Sequence, residues 1–237
     1  MKHIHFETID STNNYIKSNY TSLDHFTWVT SDIQLMGKGR SSKSWYGDSN
    51  SLLCSVLLKE DISSDCIHLI PLLAAMSLHQ VLIKHLPNLL IKWPNDLLIG
   101  HKKVSGILVE SVSISNDIQA IIIGFGINLN HSIFPNQIEG HSTSMFQQTA
   151  VHYHQRDILE LLNAQLVQDY HMFKKDHQKV VNYCNQYLAF KNQKISYIES
   201  SETHHGWIQE IDDQGHLIVS KDNRLIALNS GEITLLK

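Results

Sequence analysis

The sequence predicts an α+β protein, with a mixed or antiparallel sheet, packed helices and a small barrel-like unit at the end. Two observations carry this. Several short apolar strands follow one another between two helical stripes, which favours antiparallel or mixed pairing. From about Lys191 the chain changes texture to short strands separated by polar turns, too small a unit for a large core of its own. The boundaries read as a main domain over 1–188 and a small one over 189–237.

Taken in order, His3 to Phe6 reads as a strand, and His3 and His5 alternate onto one solvated face. Asp10-Ser11 caps a helix that opens with Thr12-Asn13-Asn14. Trp28 to Ser31 is a short strand, Gln34 to Asn50 is too rich in serine and glycine for a core element and reads as a long loop, and Ser51 to Leu58 returns to strand. Ile67 to Leu86 places Ile70, Leu73, Ala74, Leu78, Val81 and Leu82 at helical spacing, with Pro71 tolerable near the first turn. Leu89 to Trp93, Leu97 to Ile99, Val104 to Val109 and Ala120 to Gly126 read as strands. Gly100-His101 is a hairpin tip, and Asn116-Asp117 turns the last two. Ile158 to Phe173 carries an amphipathic stripe and Val180 to Tyr187 continues helical. Five strands follow, Lys194 to Ile198, Gly206 to Ile211, His216 to Ser220, Arg224 to Leu228 and Glu232 to Leu235, with Asp212-Asp213-Gln214-Gly215 as a hairpin tip.

Composition narrows the function. With 237 residues and a formal charge of −4, the chain has an ample core and no basic excess for holding nucleic acid. Three cysteines, widely spaced and without a CxxC, indicate neither a disulfide framework nor a thiolate zinc site and suit a reducing cytoplasm. The start lacks the apolar core of a signal peptide, and Ile67 to Leu86 is interrupted by Pro71, His79, Gln80 and Lys84, so the expectation is a soluble protein without membrane or DNA contacts. Sixteen histidines form no HExxH, and His152-x-His154 and His204-His205 read as ordinary residues.

Three segments could carry chemistry. In Lys92 to Glu110, the cations Lys92, Lys102 and Lys103 stand in apolar surroundings near Asn95 and Asp96, which suits an anionic ligand; a plain hairpin accounts for the same spacing. Gln34 to Lys43 combines glycines, cations and hydroxyls as a phosphate wrap would, yet it is neither a Walker A loop nor a GxGxxG fingerprint, and a solvated loop is the competing reading. Gly124 to Asn130 ends a strand with two glycines and Asn128, an amide able to read an adenine edge, against a plain strand-end turn.

Together these segments resemble the biotin protein ligases. DSTNN (Asp10 to Asn14), QLMGKGRSSKSW (Gln34 to Trp45), KWPND (Lys92 to Asp96), KVSGILVE (Lys103 to Glu110), GFGINLN (Gly124 to Asn130) and GEITLL (Gly231 to Leu236) are similar to that family's motifs in order and spacing. The resemblance implies a catalytic domain like that of class II aminoacyl-tRNA synthetases, an SH3-like C-terminal barrel and the short form without an N-terminal DNA-binding domain. It also implies the activity: ATP and Mg2+ convert biotin to biotinoyl-5′-AMP with release of pyrophosphate, and biotin then passes to one lysine of a carboxylase carrier domain.

By the same resemblance Lys103 and Arg40 are catalytic. Ser11, Thr12, Asn13, Gln34, Lys38, Gly39, Arg40, Trp45, Lys103 and Gly106 would bind biotin. ATP would fall to Lys38, Arg40, Trp45, Asn95, Asp96, Lys103 and Asn128, with Asp96 the candidate for metal and Lys102 a solvated neighbour. Lys38 stands where the family usually has arginine and Ser42 where a glycine is common, so this loop is expected to hold the adenylate less tightly. A lipoate protein ligase is the nearest alternative, and a non-catalytic biotin- or nucleotide-binding regulator the alternative from another class. Monomer and homodimer stay equally open.

Overall fold

The computed structural model describes residues 1–40, 43–60, 64–115, 117–199, 202–229, 231 and 233–236. The expectations placed on Ser42, Asn116 and Glu232 lie outside these residues. In chain order the elements are β1 (Lys2–Ile9), α1 (Thr12–Asn19), β2 (Thr27–Gln34), β3 (Ser51–Leu58), a 3-10 segment (Ser64–Leu69) and α2 (Ile70–Leu82). Then come β4 (Leu89–Lys92), β5 (Asp96–Ile99), β6 (Lys102–Ile114), β7 (Asp117–Asn128), α3 (Asn136–Glu139), α4 (Met145–Thr149), α5 (Gln155–Phe173) and α6 (Gln178–Gln186). Five strands close the chain: β8 (Lys194–Glu199), β9 (Glu202–Ile211), β10 (Leu217–Lys221), β11 (Arg224–Leu228) and β12 (Ile233–Leu235).

The first seven strands form one mixed sheet in the order β1-β2-β3-β7-β6-β5-β4, parallel only between β1 and β2. Alternation along the central strands decides what each face meets. Leu52, Cys54, Val56 and Leu58 of β3, with Ile121, Ile123, Phe125 and Ile127 of β7, join the core under α2, α5 and α6. Leu57 and Ile122 face the other way onto Ile16 of α1. Because both faces are covered, all eight residues of β3 are buried.

Helix α2 has apolar residues nearly all round because it lies between the sheet and the pair α5 and α6. Each fully buried leucine there, Leu73, Leu78 and Leu82 among them, contributes about 1.5–3 kcal/mol of apolar burial. The polar exceptions have partners: Ser77 Oγ donates to Asp169 at 2.7 Å, and His79 bonds to the Tyr183 hydroxyl at 2.9 Å and the Leu89 carbonyl at 3.0 Å. The helix starts at Ile70 rather than Ile67, since Pro71 fits only its first turn and the preceding residues take the tighter 3-10 form. Helices α3 and α4 escaped the sequence reading because they are a single turn each. Ser144 nevertheless caps Gln147 N at 3.0 Å, and that Ser-x-x-Gln spacing was there to be read.

The last five strands form a separate antiparallel sheet in the order β11-β10-β9-β8-β12. Among the described residues no ladder joins β11 to β12, so the expected barrel appears here as an open sheet. It is tied to the first unit by Trp93 Nε1 donating to the Gly215 carbonyl at 2.9 Å and by the Asn185 amide pairing both ways with the Ile211 main chain. Gly215 (φ +76°) turns the β9–β10 hairpin, and a Cβ there would meet Leu69 Cδ2 at 2.7 Å.

Candidate active site

A cavity of about 650 Å³ opens where the start of α1, the Gly37 to Trp45 loop, the strands β5, β6 and β7 and the C-terminal residues Gly231, Ile233, Thr234 and Leu235 meet. Although the chain is acidic overall, the described lining carries Lys38, Arg40, Lys43, Lys92 and Lys103 against one carboxylate, Asp96. Such a local excess of positive charge favours an anionic ligand.

A single bulge sets the geometry of the β5–β6 hairpin. Leu98 pairs with Lys103 and Leu97 with Ser105, so Val104 is an extra residue on β6. Alternation therefore flips within two residues: Lys103 shares the cavity face with Asp96 and Gly106, while the Ser105 hydroxyl donates to the Gly126 carbonyl at 2.7 Å. The main chain of Lys103 is clamped as well. Its N–H donates to the His141 carbonyl at 2.8 Å, and its carbonyl accepts from Thr143 N at 2.9 Å and Asn128 Nδ2 at 3.3 Å. Lys103 Nζ lies 2.7 Å from Asp96 Oδ1 as an ion pair, without the alignment of a hydrogen bond, and 5.3 Å from the Trp45 ring centroid.

Glycines form the floor. Gly106 and Gly126 face each other across β6 and β7, and the Trp45 indole lies on both; a Cβ would meet Trp45 Cζ3 at 2.8 Å from Gly106 and Trp45 Cζ2 at 2.6 Å from Gly126. Gly124, one step along the same face, carries the amide of Asn13, which a Cβ there would strike. Nothing larger than hydrogen fits at these three positions while the two side chains stay where they are.

The described residues of the Gly-rich stretch, Gly37 to Arg40 and Lys43 to Trp45, are cross-linked by their backbone. Gly39 N donates to the Lys43 carbonyl at 2.7 Å and Trp45 N to the Gly37 carbonyl at 2.9 Å. Arg40 reaches across the cavity to Asn95 Oδ1 at 3.2 Å, and Asn95 is itself held by the main chain of Ile107. Lys38 turns towards α1 and bonds Asn14 Oδ1 at 3.2 Å. At the helix start, Ser11 caps α1 by accepting from Asn14 N, and Thr12 N donates to Gln34 Oε1 at 2.8 Å.

The structure thus brings Ser11, Thr12, Asn13, Gln34, Lys38, Gly39, Arg40, Trp45, Asn95, Asp96, Lys103 and Gly106 to one cavity. Asn128 is not among its lining residues. Its amide nitrogen donates to the carbonyls of Lys103 at 3.3 Å and Thr143 at 3.1 Å, and so buttresses Lys103 from behind. Sequence reasoning gave no site role to Phe190, which lines the cavity, or to Ser55, which bonds Thr12 and Asn13. Phe190 comes from the far end of the chain and left no local signal, whereas Ser51 and Ser55 interrupt one face of an apolar strand and could have flagged a polar patch there.

The family model for the biotin/lipoate A/B protein ligase family matches residues 5–128, and the chain belongs to that family. Among individual proteins it is similar to the bifunctional ligase/repressor BirA of Bacillus subtilis, at 36% identity over 126 residues, 51% of this chain and 38% of that protein. It is also similar to the biotin--[acetyl-CoA-carboxylase] ligase of Paracoccus denitrificans, at 31% identity over 123 residues, 51% of each. The matched region is thus about half or less of those relatives' length. The biotin protein ligase of Aquifex aeolicus, solved in complex with biotin and ATP, has the same fold, with a TM-score of 0.87 over 100% of this chain and 99% of that one at 23% identity.

Proposed function

We propose that this protein is an ATP-dependent biotin protein ligase, and the observation that carries the reading is the placement of Lys103 and Arg40 over one cation-lined cavity. Joining a biotin carboxylate to the α-phosphate of ATP forces two anions together, and fixed cations lower that barrier most where water is excluded. Lys103, clamped by its backbone, supplies one charge at the carboxylate and phosphate. Arg40, which reaches Asn95 in the cavity lining, would supply another and shield the resulting biotinoyl-5′-AMP, a hydrolysable mixed anhydride, from water. Pyrophosphate leaves, and a lysine of a carboxylase carrier domain displaces AMP to take the biotin. The Paracoccus relative's name, which specifies acetyl-CoA carboxylase, supports that acceptor.

Ser11, Thr12, Asn13 and Gln34 would hold the ureido and ring portion of biotin, with Trp45 and Gly106 shaping the pocket and Asn95 on the nucleotide side. Mg2+ takes few protein ligands and several from phosphate and water. Among the described residues no group of three acidic, histidine or cysteine side chains could hold a metal ion alone, so the lone Asp96 fits a Mg2+ carried mainly by the triphosphate, whose charge it would help neutralise. We assign 1–188 to the catalytic domain and 189–237 to an SH3-like unit whose β12 walls the cavity. A cytoplasmic location suits the three free thiols. No helix of the described residues is long and apolar enough to cross a membrane.

Purified protein incubated with ATP, Mg2+, an acceptor domain and labelled biotin or lipoate should release pyrophosphate and label the acceptor with biotin only. Lipoate turnover without biotin turnover would favour the sister activity of the family.

A further inference from the structure

Beneath the cavity, a row of hydrogen bonds runs from a surface ion pair to Thr12. Lys17 Nζ lies 3.4 Å from Glu110 Oε1, Asn13 Nδ2 donates to Glu110 Oε2 at 2.8 Å, Ser55 Oγ donates to Asn13 Oδ1 at 2.6 Å, and the hydroxyls of Ser55 and Thr12 are 2.6 Å apart. Ser55, Thr12 and Asn13 are all at least 96% buried, so no solvent proton adjusts the row from outside. Strand register explains the layout: Ser55 of β3 and Leu108 of β6 flank Gly124 of β7, and the Asn13 amide lies on that bare glycine with Glu110 two residues along.

Counting protons gives the row a direction. A carboxylate only accepts, so Glu110 fixes the nitrogen end of the Asn13 amide towards β6 and its oxygen towards Ser55. Asn13 Oδ1 cannot donate, so the Ser55 proton occupies the first 2.6 Å contact. The second 2.6 Å contact also needs a proton, and Thr12 is the only group left to provide it. The 3.2 Å approach of Thr12 Oγ1 to Gln34 Oε1 is then left without one, and Thr12 offers the cavity only lone pairs. Gln34 Oε1 already accepts from Thr12 N, so its amide nitrogen is the donor end of the neighbouring group.

We infer that Glu110 and Ser55 are positioning residues that fix Thr12 as a hydrogen-bond acceptor for a ligand N–H, and so select a cyclic urea over a ring lacking that N–H. The ligand half of this inference rests on the biotin reading above. Glu110→Gln keeps the size of the side chain but gives it a donor, which allows Asn13 to turn over and the row to reverse, making Thr12 a donor against the ligand N–H.

The test compares binding of biotin with that of the two cyclic-carbamate analogues in which one or the other ureido N–H is replaced by oxygen. Wild type should prefer biotin by roughly ten-fold or more over one of them, the loss expected for an unmatched buried hydrogen-bonding group. Glu110→Gln and Ser55→Ala should bring that ratio close to one while leaving the KM for ATP unchanged. A ratio unchanged in Glu110→Gln, or an equal loss for urea and carbamate, would overturn the inference, since a merely structural role weakens all ligands alike. A second readout needs no ligand. The Asn13 carboxamide NMR signals, identified by their loss in Asn13→Asp, should shift in Glu110→Gln, and signals that stay in place would remove the relay. If biotin fails to bind wild type while these signals respond, the ligase reading falls and the proton row stands.

Discussion

Replacing Lys103 by methionine isolates its charge, because methionine keeps most of the aliphatic stem that lies over Gly106 and beside Trp45. At an effective dielectric constant of about 20, a unit charge about 4 Å from a carboxylate or phosphate is worth ~4 kcal/mol. The Lys103 side chain is 32% exposed, and solvent screening brings this towards the lower end of the range seen for a single preorganised stabilising group, about 2.7 kcal/mol, or roughly 100-fold in kcat. Stability should respond far less. Asp96 loses its ion-pair partner at partly exposed positions, about 1 kcal/mol or a fall of roughly 2–4 °C in Tm for a chain of this size. Adding Asp96→Asn should recover Tm and not turnover. Initial rates of pyrophosphate release with ATP and biotin, alongside thermal melts, separate the two effects. A Lys103→Met enzyme within two-fold of wild-type kcat would refute the electrostatic role.

Gly126→Ala should push the Trp45 indole off the floor, seen as a change in tryptophan emission and a rise of roughly ten-fold or more in the KM for biotin, with little loss of Tm because Trp45 is only half-buried. Burial holds the imidazoles of His79 and His131 below the ordinary histidine range, against a smaller opposing pull from the Leu89 carbonyl and from Asp48 respectively. The unfolded chain therefore takes up protons first as pH falls. Stability should be full above about pH 6.5 and decline below it by up to ~1.4 kcal/mol per pH unit for each histidine; melts at pH 7.5 and 5.5 should show this, with a shallower loss in His79→Gln. Biotinoyl-AMP release should be slower from Lys38→Arg with Ser42→Gly than from wild type, and equal off-rates would end that idea. Trp93→Phe, which removes the bond to the Gly215 carbonyl, should cost about 1 kcal/mol in a denaturant titration.

Local patterns made most elements readable. The cap at Ser11, the alternation in β1 and the stripe of α5 are short-range consequences of where apolar residues fall, and all three stand where the spacing puts them. What failed to show depends on distant pairing. Asn128 has the composition of a ligand-reading amide, and only the fold reveals that its nitrogen also ties the carbonyls of Lys103 and Thr143 together. Glu110 closed a motif in the sequence without a partner to explain it, and the fold brings Asn13, 97 residues earlier, beside it. The loop at Gly37 to Trp45 read as open because its cross-links are backbone bonds, which leave no mark in side-chain pattern.

The extra residue at Val104 makes the chemistry of the cavity a matter of parity. Were β6 to pair regularly with the same residues and no bulge, its composition, hydrophobicity and strand propensity would not change, so the sheet should still assemble. The ammonium group, however, would be counted onto the opposite side of the sheet from Asp96 and Gly106. A chain with the same lysine-to-glycine spacing and no bulge should therefore keep the fold and lose the cation from its cavity, whereas one residue fewer at this point would restore plain alternation and leave the lysine in place.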